Sequence, residues 1–198
     1  MSLLREIQSE LSRSGVDVVA VLRKCKILAA RLGSPEFSRW VDWELNGYPE
    51  SEAVPEYRKV TVTYFASFVS MAWKIQKAPV PLFIIPEDLR DSFRFVHFRG
   101  GIAKAASFAQ AKGLVGWQEP ELILLLQGKM YPEMNCQGVW AETAHTEFEQ
   151  LVSAVTSRIL DFSLKLEAEN PSAREALPKQ RTSVPRKTEA SCPEHFLR

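Results

Sequence analysis

Apolar residues recur through the first quarter of the chain at three- and four-residue intervals, the spacing of one face of a helix. Leu3, Ile7 and Leu11 make one stripe, with Ser2 in the N-cap position before it. Val18, Val21, Leu22, Cys25, Leu28, Ala29 and Leu32 make a second, while Arg23, Lys24 and Arg31 fall on the other side. Asp17 caps this helix, Val16 and Val21 stand at the spacing of a hydrophobic staple, and Gly33 sits where a helix-ending glycine belongs. Ser34-Pro35 then opens a third helix, whose apolar arc holds Phe37, Trp40, Val41 and Leu45. At about 100° per residue, Glu44 falls inside that arc. Asn46-Gly47 predicts a left-handed C-cap, Tyr48 reaches back over the last turn, and Pro49 forbids continuation.

Past this point the period changes to two. Val60, Val62 and Tyr64 alternate with Thr61 and Thr63, the pattern of a half-buried strand. A second strand is predicted over 71–76, with Trp73 and Ile75 on one face, and Ala78-Pro79-Val80-Pro81 marks a break or a sheet edge. Pro86-Glu87-Asp88 begins a short helix, 94–99 reads as a strand, and Gly100-Gly101 turns the chain into a helix over 102–111. A further helix over 119–126 and a final strand over 139–144 complete the middle of the chain.

Thr146-Glu147-Phe148-Glu149 has the form of a capping box. Behind it Phe148, Val152, Val155, Ile159, Phe162 and Leu166 follow in heptad-like register, on a helix that Asn170-Pro171 ends. Such a seam either zips to a second chain or lies across the domain's own sheet. Leu160 and Leu164 form a second apolar strip, so the helix is deeply buried or packs on both its own domain and a partner. The expected fold is α+β: an N-terminal three-helix segment, a small and mostly antiparallel sheet, and a long C-terminal helix. Residues 1–169 are expected to form one domain. Residues 170–198 carry six Lys/Arg against three Asp/Glu and four prolines, which predicts a flexible basic tail.

Bulk properties exclude several classes. The formal net charge is +1, so no global field selects nucleic acid or an anionic membrane. Three cysteines (Cys25, Cys136 and Cys192) are too few for a disulfide framework and suit a reducing cytoplasm. The opening MSLLREIQSEL mixes acids with its apolar residues and does not read as a secretory signal. No apolar run, Leu122–Leu126 included, is longer than five residues, far short of the roughly 20 that span a bilayer. A soluble cytoplasmic protein without a membrane partner is expected.

Glu44 is the first candidate for chemistry, because a carboxylate on an apolar helix face suits a general acid or base. The simpler reading is a buried acid satisfied by a neighbour, with Arg58 and Tyr57 placed beyond the turn to supply it and Arg58 the expected partner. His97, His145 and His195 form no triad or zinc pattern, and Cys192-Pro193-Glu194-His195 is only a half-site. No GxGxxG, Walker, HExxH or GxSxG motif is present, and Gly100-Gly101 lacks the rest of a phosphate loop. No catalytic residue, cofactor site or metal site is therefore assigned. Tyr57, Arg58, Lys59, Tyr64, Phe65, Phe68, Trp73 and Lys74 interleave aromatic and basic residues, as in a single-strand-binding sheet. A half-buried sheet, with its aromatics in the core and its lysines solvated, also explains them, and the near-neutral net charge favours that reading. The basic tail (Arg174, Lys179, Arg181, Arg186 and Lys187) would bind acidic partners weakly and with strong salt dependence.

Four stretches resemble the AbiTii domain family of bacterial abortive-infection and related conflict systems: SLLREIQSEL, VLRKCKILAARLGSPEFSRWVDWELNGYP with the following PEYR, FRGGIA, and VTSRILDFSLKLEAENP. The LNGYP…P.YR corner and the R.LDF.L.LE..NP ending are the most specific. The resemblance implies antiphage defence, as a helper or adaptor module. Family members often stand in front of an effector domain; here only the tail follows, which points to a protein partner or effector in trans. The resemblance brings no catalytic residues. It marks Trp43, Glu44, Leu45, Asn46, Gly47, Tyr48, Pro49, Tyr57 and Arg58 for structural or interface importance, and the seam adds Phe162 and Leu166. The expectation is a non-enzymatic interaction module, self-associating or docking an effector. The alternative is a toxin-like protein that binds or acts on nucleic acid.

Overall fold

A computed structural model describes residues 2–169. In chain order its elements are helices α1 (Leu3–Leu11), α2 (Val18–Leu32) and α3 (Pro35–Asn46), and strands β1 (Lys59–Thr61), β2 (Thr63–Val69) and β3 (Lys74–Pro79). Then come helix α4 (Arg90–Arg94), strand β4 (Phe95–His97), helix α5 (Ile102–Ala109) and strand β5 (Leu114–Gln118). Helix α6 (Leu122–Leu126), strand β6 (Asn135–Ala144) and helix α7 (His145–Glu169) close the chain. This is the expected α+β arrangement. The basic segment 170–198, with its arginines and lysines and with Cys192 and His195, lies outside the described residues. The described chain falls into two compact units, one of residues 2–57, 99–106 and 150–169, the other Arg58–Phe98 with Ser107–Glu149.

The helical unit follows its local signals closely. Ser2 Oγ accepts from Arg5 N, Asp17 Oδ1 from Val19 N and Ala20 N, and Ser34 Oγ from Phe37 N, so each cap satisfies an orphan donor of its helix. Gly33 ends α2 at φ 63°, where only a residue without Cβ sits without strain. The α2 stripe is buried from Val18 to Ala29, and in α1 Leu4 joins Ile7 in the core in place of Leu3 and Leu11. Gly47 departs from expectation: Asn46 stays helical, and Gly47 ends α3 at φ 105° and ψ 161°, outside the left-handed helical region. From α7, Phe162 lies against Phe37 with ring centroids 4.1 Å apart, and Gln8 Nε2 donates to Ser163 O and Glu167 Oε2.

The second unit is built on antiparallel pairings. A four-stranded sheet runs β3-β2-β6-β5, and β1 pairs with β4 in a separate two-stranded ribbon. Val60, Val62 and Tyr64 are buried as the alternation predicts, although the chain changes partners at Val62, whose N–H donates to Arg94 O. The inner sheet face buries Ala66 and Phe68 from β2, Ala78 from β3, Val139 and Ala141 from β6 and Val115 from β5. β3 begins later than the predicted 71–76, because Ser70 organises a turn: its Oγ accepts from Ala72 N and Trp73 N. Met71 and Trp73 are exposed on that turn, and Trp73 does not share a sheet face with Ile75.

Two further expectations are corrected. The expected 119–126 helix is confined to α6, Leu122–Leu126, and the unexpected strand β5 stands just before it; its five residues carry a glycine at the centre and so only a weak period-two signal. The capping box of α7 does not form. β6 runs directly into α7 at His145, which leaves no extended residue at Thr146 to cap, and Glu147 Oε2 instead accepts from Thr61 N at 2.8 Å. The seam is buried within the single chain, but through Leu151 in place of Val152: Phe148, Leu151, Val155, Ile159, Phe162 and Leu166 are its buried members. Leu160 is partly exposed and Leu164 is 50% exposed.

Candidate functional site

The last two turns of α3 bring Trp40, Trp43 and Glu44 to the corner that Gly47, Tyr48 and Pro49 complete. Glu44 is 0% exposed. Its Oε1 accepts from the Tyr48 hydroxyl at 2.7 Å and from the Tyr57 hydroxyl at 2.6 Å. Tyr57 in turn accepts from Trp40 Nε1 at 3.0 Å. The Arg158 guanidinium, on α7, stands 4.2 Å from the centroid of the Tyr57 ring. Trp43 packs its ring against Tyr48 at 5.4 Å, under the guanidinium of Arg39. A chain of donors and rings therefore encloses the carboxylate.

Burial holds the Tyr48 and Tyr57 phenols well above the ordinary tyrosine range, and the neighbouring Glu44 carboxylate adds to the effect in both. Both phenols stay protonated donors at any physiological pH. A general acid or base needs an open side from which a substrate approaches, and Glu44 has no exposed surface to offer. The arrangement suits a structural pin that fixes the residues after α3 against the helix.

The backbone of the corner is fixed by a second stretch. Tyr48 N donates to Arg99 O at 2.8 Å, and Gly47 forms an isolated antiparallel bridge with Gly100. A Cβ on Gly47 would stand 2.7 Å from Arg99 O, and one on Gly101 would overlap Leu45 O. Arg99 Nη1 donates to Pro49 O and to Glu52 O. FRGGIA and LNGYP, far apart in sequence, thus meet backbone to backbone, and the paired glycines permit the approach. This is the use of Gly100-Gly101, which the sequence offered only as a turn.

Tyr57, one of the two residues offered as partners of Glu44, donates to it. Arg58 is 0% exposed, belongs with the sheet unit, and donates from Nη1 to Phe98 O at 2.9 Å. Asn46 is exposed, while Phe162 and Leu166 are buried on α7. Trp40, Arg99 and Arg158 complete the corner and were not singled out; Trp40 carried a signal as the second large ring of the α3 arc, Arg99 and Arg158 none. The interleaved aromatic and basic residues separate: Arg58, Tyr64 and Phe68 are buried, Trp73 and Lys74 lie at the β2–β3 turn, and Phe65 faces outward.

On the outer sheet face a groove of about 320 Å³ is lined by Thr63, Phe65, Lys77, Leu114, Glu142 and Glu147 among others. Lys77 Nζ lies 2.8 Å from Glu142 Oε2, and Trp140 Nε1 donates to Oε1. Its bond to Lys77 holds the Glu142 carboxyl below the usual carboxylate range. Cys25 is a buried core thiol, as its place in the α2 stripe predicts, and burial pushes it up to about 12. Among the described residues no group of three His, Cys, Asp or Glu could hold a metal ion, and no helix is long and apolar enough to cross a membrane.

No curated protein and no solved structure matches the chain. The model of the AbiTii family, whose setting is abortive infection and antiphage defence, matches residues 2–190, and the chain belongs to that family.

Proposed function

We propose that the chain is a non-enzymatic interaction module of a bacterial antiphage system, working in the cytoplasm by docking an effector in trans or by self-association. The observation that carries this reading is Glu44: the one acid that sequence placed as a candidate catalyst is fully buried and bonded to two phenols. Large apolar side chains stand out on the surface instead. Met71 is 108% and Trp73 77% exposed on a turn that Ser70 organises, and an exposed tryptophan on an anchored turn suits protein contacts.

The alternative, a toxin-like action on nucleic acid, draws support from the outer sheet face, where Phe65 stacks on Trp140 and Lys77 stands 4.9 Å from the Phe65 ring. Glu142 and Glu147 line the same groove, and their negative charge opposes a phosphate backbone. Incubation of the purified chain with single- and double-stranded RNA and DNA separates the two readings. The interaction module leaves all four intact. Cleavage that disappears in Glu44→Gln while folding is unchanged would refute it.

A further inference from the structure

The four-stranded sheet ends in two unlike edges. On the β3 side the edge is blunted: Lys77 sits at φ 54°, the pairing with β2 shifts register between Ala66 and Phe68, and Pro79 has no N–H to offer. On the other side β5 pairs in unbroken register with β6, from Leu114 opposite Ala144 to Gln118 opposite Trp140. It contains no proline, lysine or bulge.

The direction of its main-chain groups follows from the pairing. Val139 O accepts from Glu119 N, so Val139, Ala141 and Thr143 turn their N–H and C=O groups toward β5. Trp117 and Val115, opposite Ala141 and Thr143, return those bonds. Leu114, Gly116 and Gln118 therefore aim their N–H and C=O groups away from the sheet. All three residues are exposed, and among the described residues no hydrogen bond reaches those groups from outside the sheet.

We propose that β5 is a self-pairing edge: a second copy of this chain adds its own β5 antiparallel, about a two-fold axis at Gly116, joining the two four-stranded sheets. This rests on the interaction-module reading and names the partner. In this register all five residues pair, Gly116 meets the partner's Gly116, and Leu114 meets the partner's Gln118. Every outward-facing residue then falls in a hydrogen-bonded pair, donating and accepting. Gly116 at the axis puts no side chain opposite its own copy. Leu114, 61% exposed, gains a cross-strand neighbour. Just beyond the strand, Lys112 comes to the end that carries the partner's Glu119 and the partner's Glu121, so the charges are complementary.

Sedimentation velocity of the full chain from micromolar to sub-millimolar concentration tests this, combined with amide hydrogen exchange. The expected result is a reversible monomer–dimer equilibrium, with slower exchange at Leu114, Gly116 and Gln118 as dimer accumulates. Gln118→Pro removes an outward donor and leaves the bonds to β6 in place, so it should weaken the dimer about tenfold. Lys112→Glu should also weaken it, and Lys112→Glu combined with Glu121→Lys should restore it. A monomer at every concentration, or a dimer in which those three amides exchange as in the monomer, would overturn the proposal. A strictly monomeric chain that leaves nucleic acids intact overturns the edge pairing alone, whereas Glu44-dependent cleavage overturns the interaction module.

Discussion

The Tyr57 hydroxyl donates to Glu44 Oε1 across 2.6 Å, although the two stand thirteen positions apart in sequence with a proline-containing loop between them. This contact closes the polypeptide after α3 back onto the helix at a fully buried carboxylate. Removing the hydroxyl in Tyr57→Phe deletes that donor and the acceptor of Trp40 Nε1. A loss of about 2 kcal/mol in urea unfolding, with unchanged slope, is expected. A variant as stable as the parent would show that the contact contributes nothing.

Alkaline pH probes the same corner. Tyr48 and Tyr57 are held above the ordinary tyrosine range by burial and by Glu44, and burial pushes Tyr64 up to about 12. A folded-state value raised above the unfolded one makes the contribution complete below about pH 10 and lost as pH rises beyond it. Stability should therefore be flat in this respect up to about pH 10 and fall above it. Absorbance at the phenolate band should show these three ionising only together with unfolding; reversible ionisation of all tyrosines near pH 10 in the folded protein would contradict this.

The meeting of FRGGIA with LNGYP makes two glycines unequal to the rest. Gly101→Ala would press a methyl group into Leu45 O, backbone that has nowhere to move, and should cost about 2–3 kcal/mol. Gly138→Ala would meet only Ser67 Oγ at 3.6 Å, an ordinary contact, and should change stability by less than about 0.5 kcal/mol. Equal thermal midpoints for the two variants would contradict the close approach.

Phe162 and Leu164 are near neighbours on α7 with opposite fates. Phe162 is buried against Phe37, and Phe162→Glu should unfold the chain or cost more than about 3 kcal/mol. Leu164 is half exposed, and Leu164→Glu should be nearly neutral in circular dichroism melts. A folded Phe162→Glu monomer derived from an oligomeric parent would return the seam to an interface between chains.

The helical unit was legible because its signals are local. Ser2, Asp17, Ser34 and Gly33 each cap the helix they precede or follow, and the α2 stripe is buried where its period places it. What was hidden depends on distant residues. Thr146 loses its cap because β6 continues into α7 without a break, and Glu147 is drawn to Thr61, remote in sequence. β5 was hidden by its shortness and its central Gly116, and Arg99 gives no sign in sequence of its bonds to Pro49 and Glu52. Glu44 lay between these cases: its place in the apolar arc was visible, and Tyr57 was one of two partners in view. Tyr48 was visible as a ring folded back on the helix, but its bond to the carboxylate was not.

Phage plating on cells that carry the chain with its neighbouring genes, comparing the parent with Glu44→Gln, tests the central claim most directly. Gln keeps the acceptor oxygen for Tyr48 and Tyr57, so the variant should fold and protect the cells to the same degree as the parent. Loss of protection by a Glu44→Gln chain that is as abundant and as well folded as the parent would contradict a structural role for Glu44.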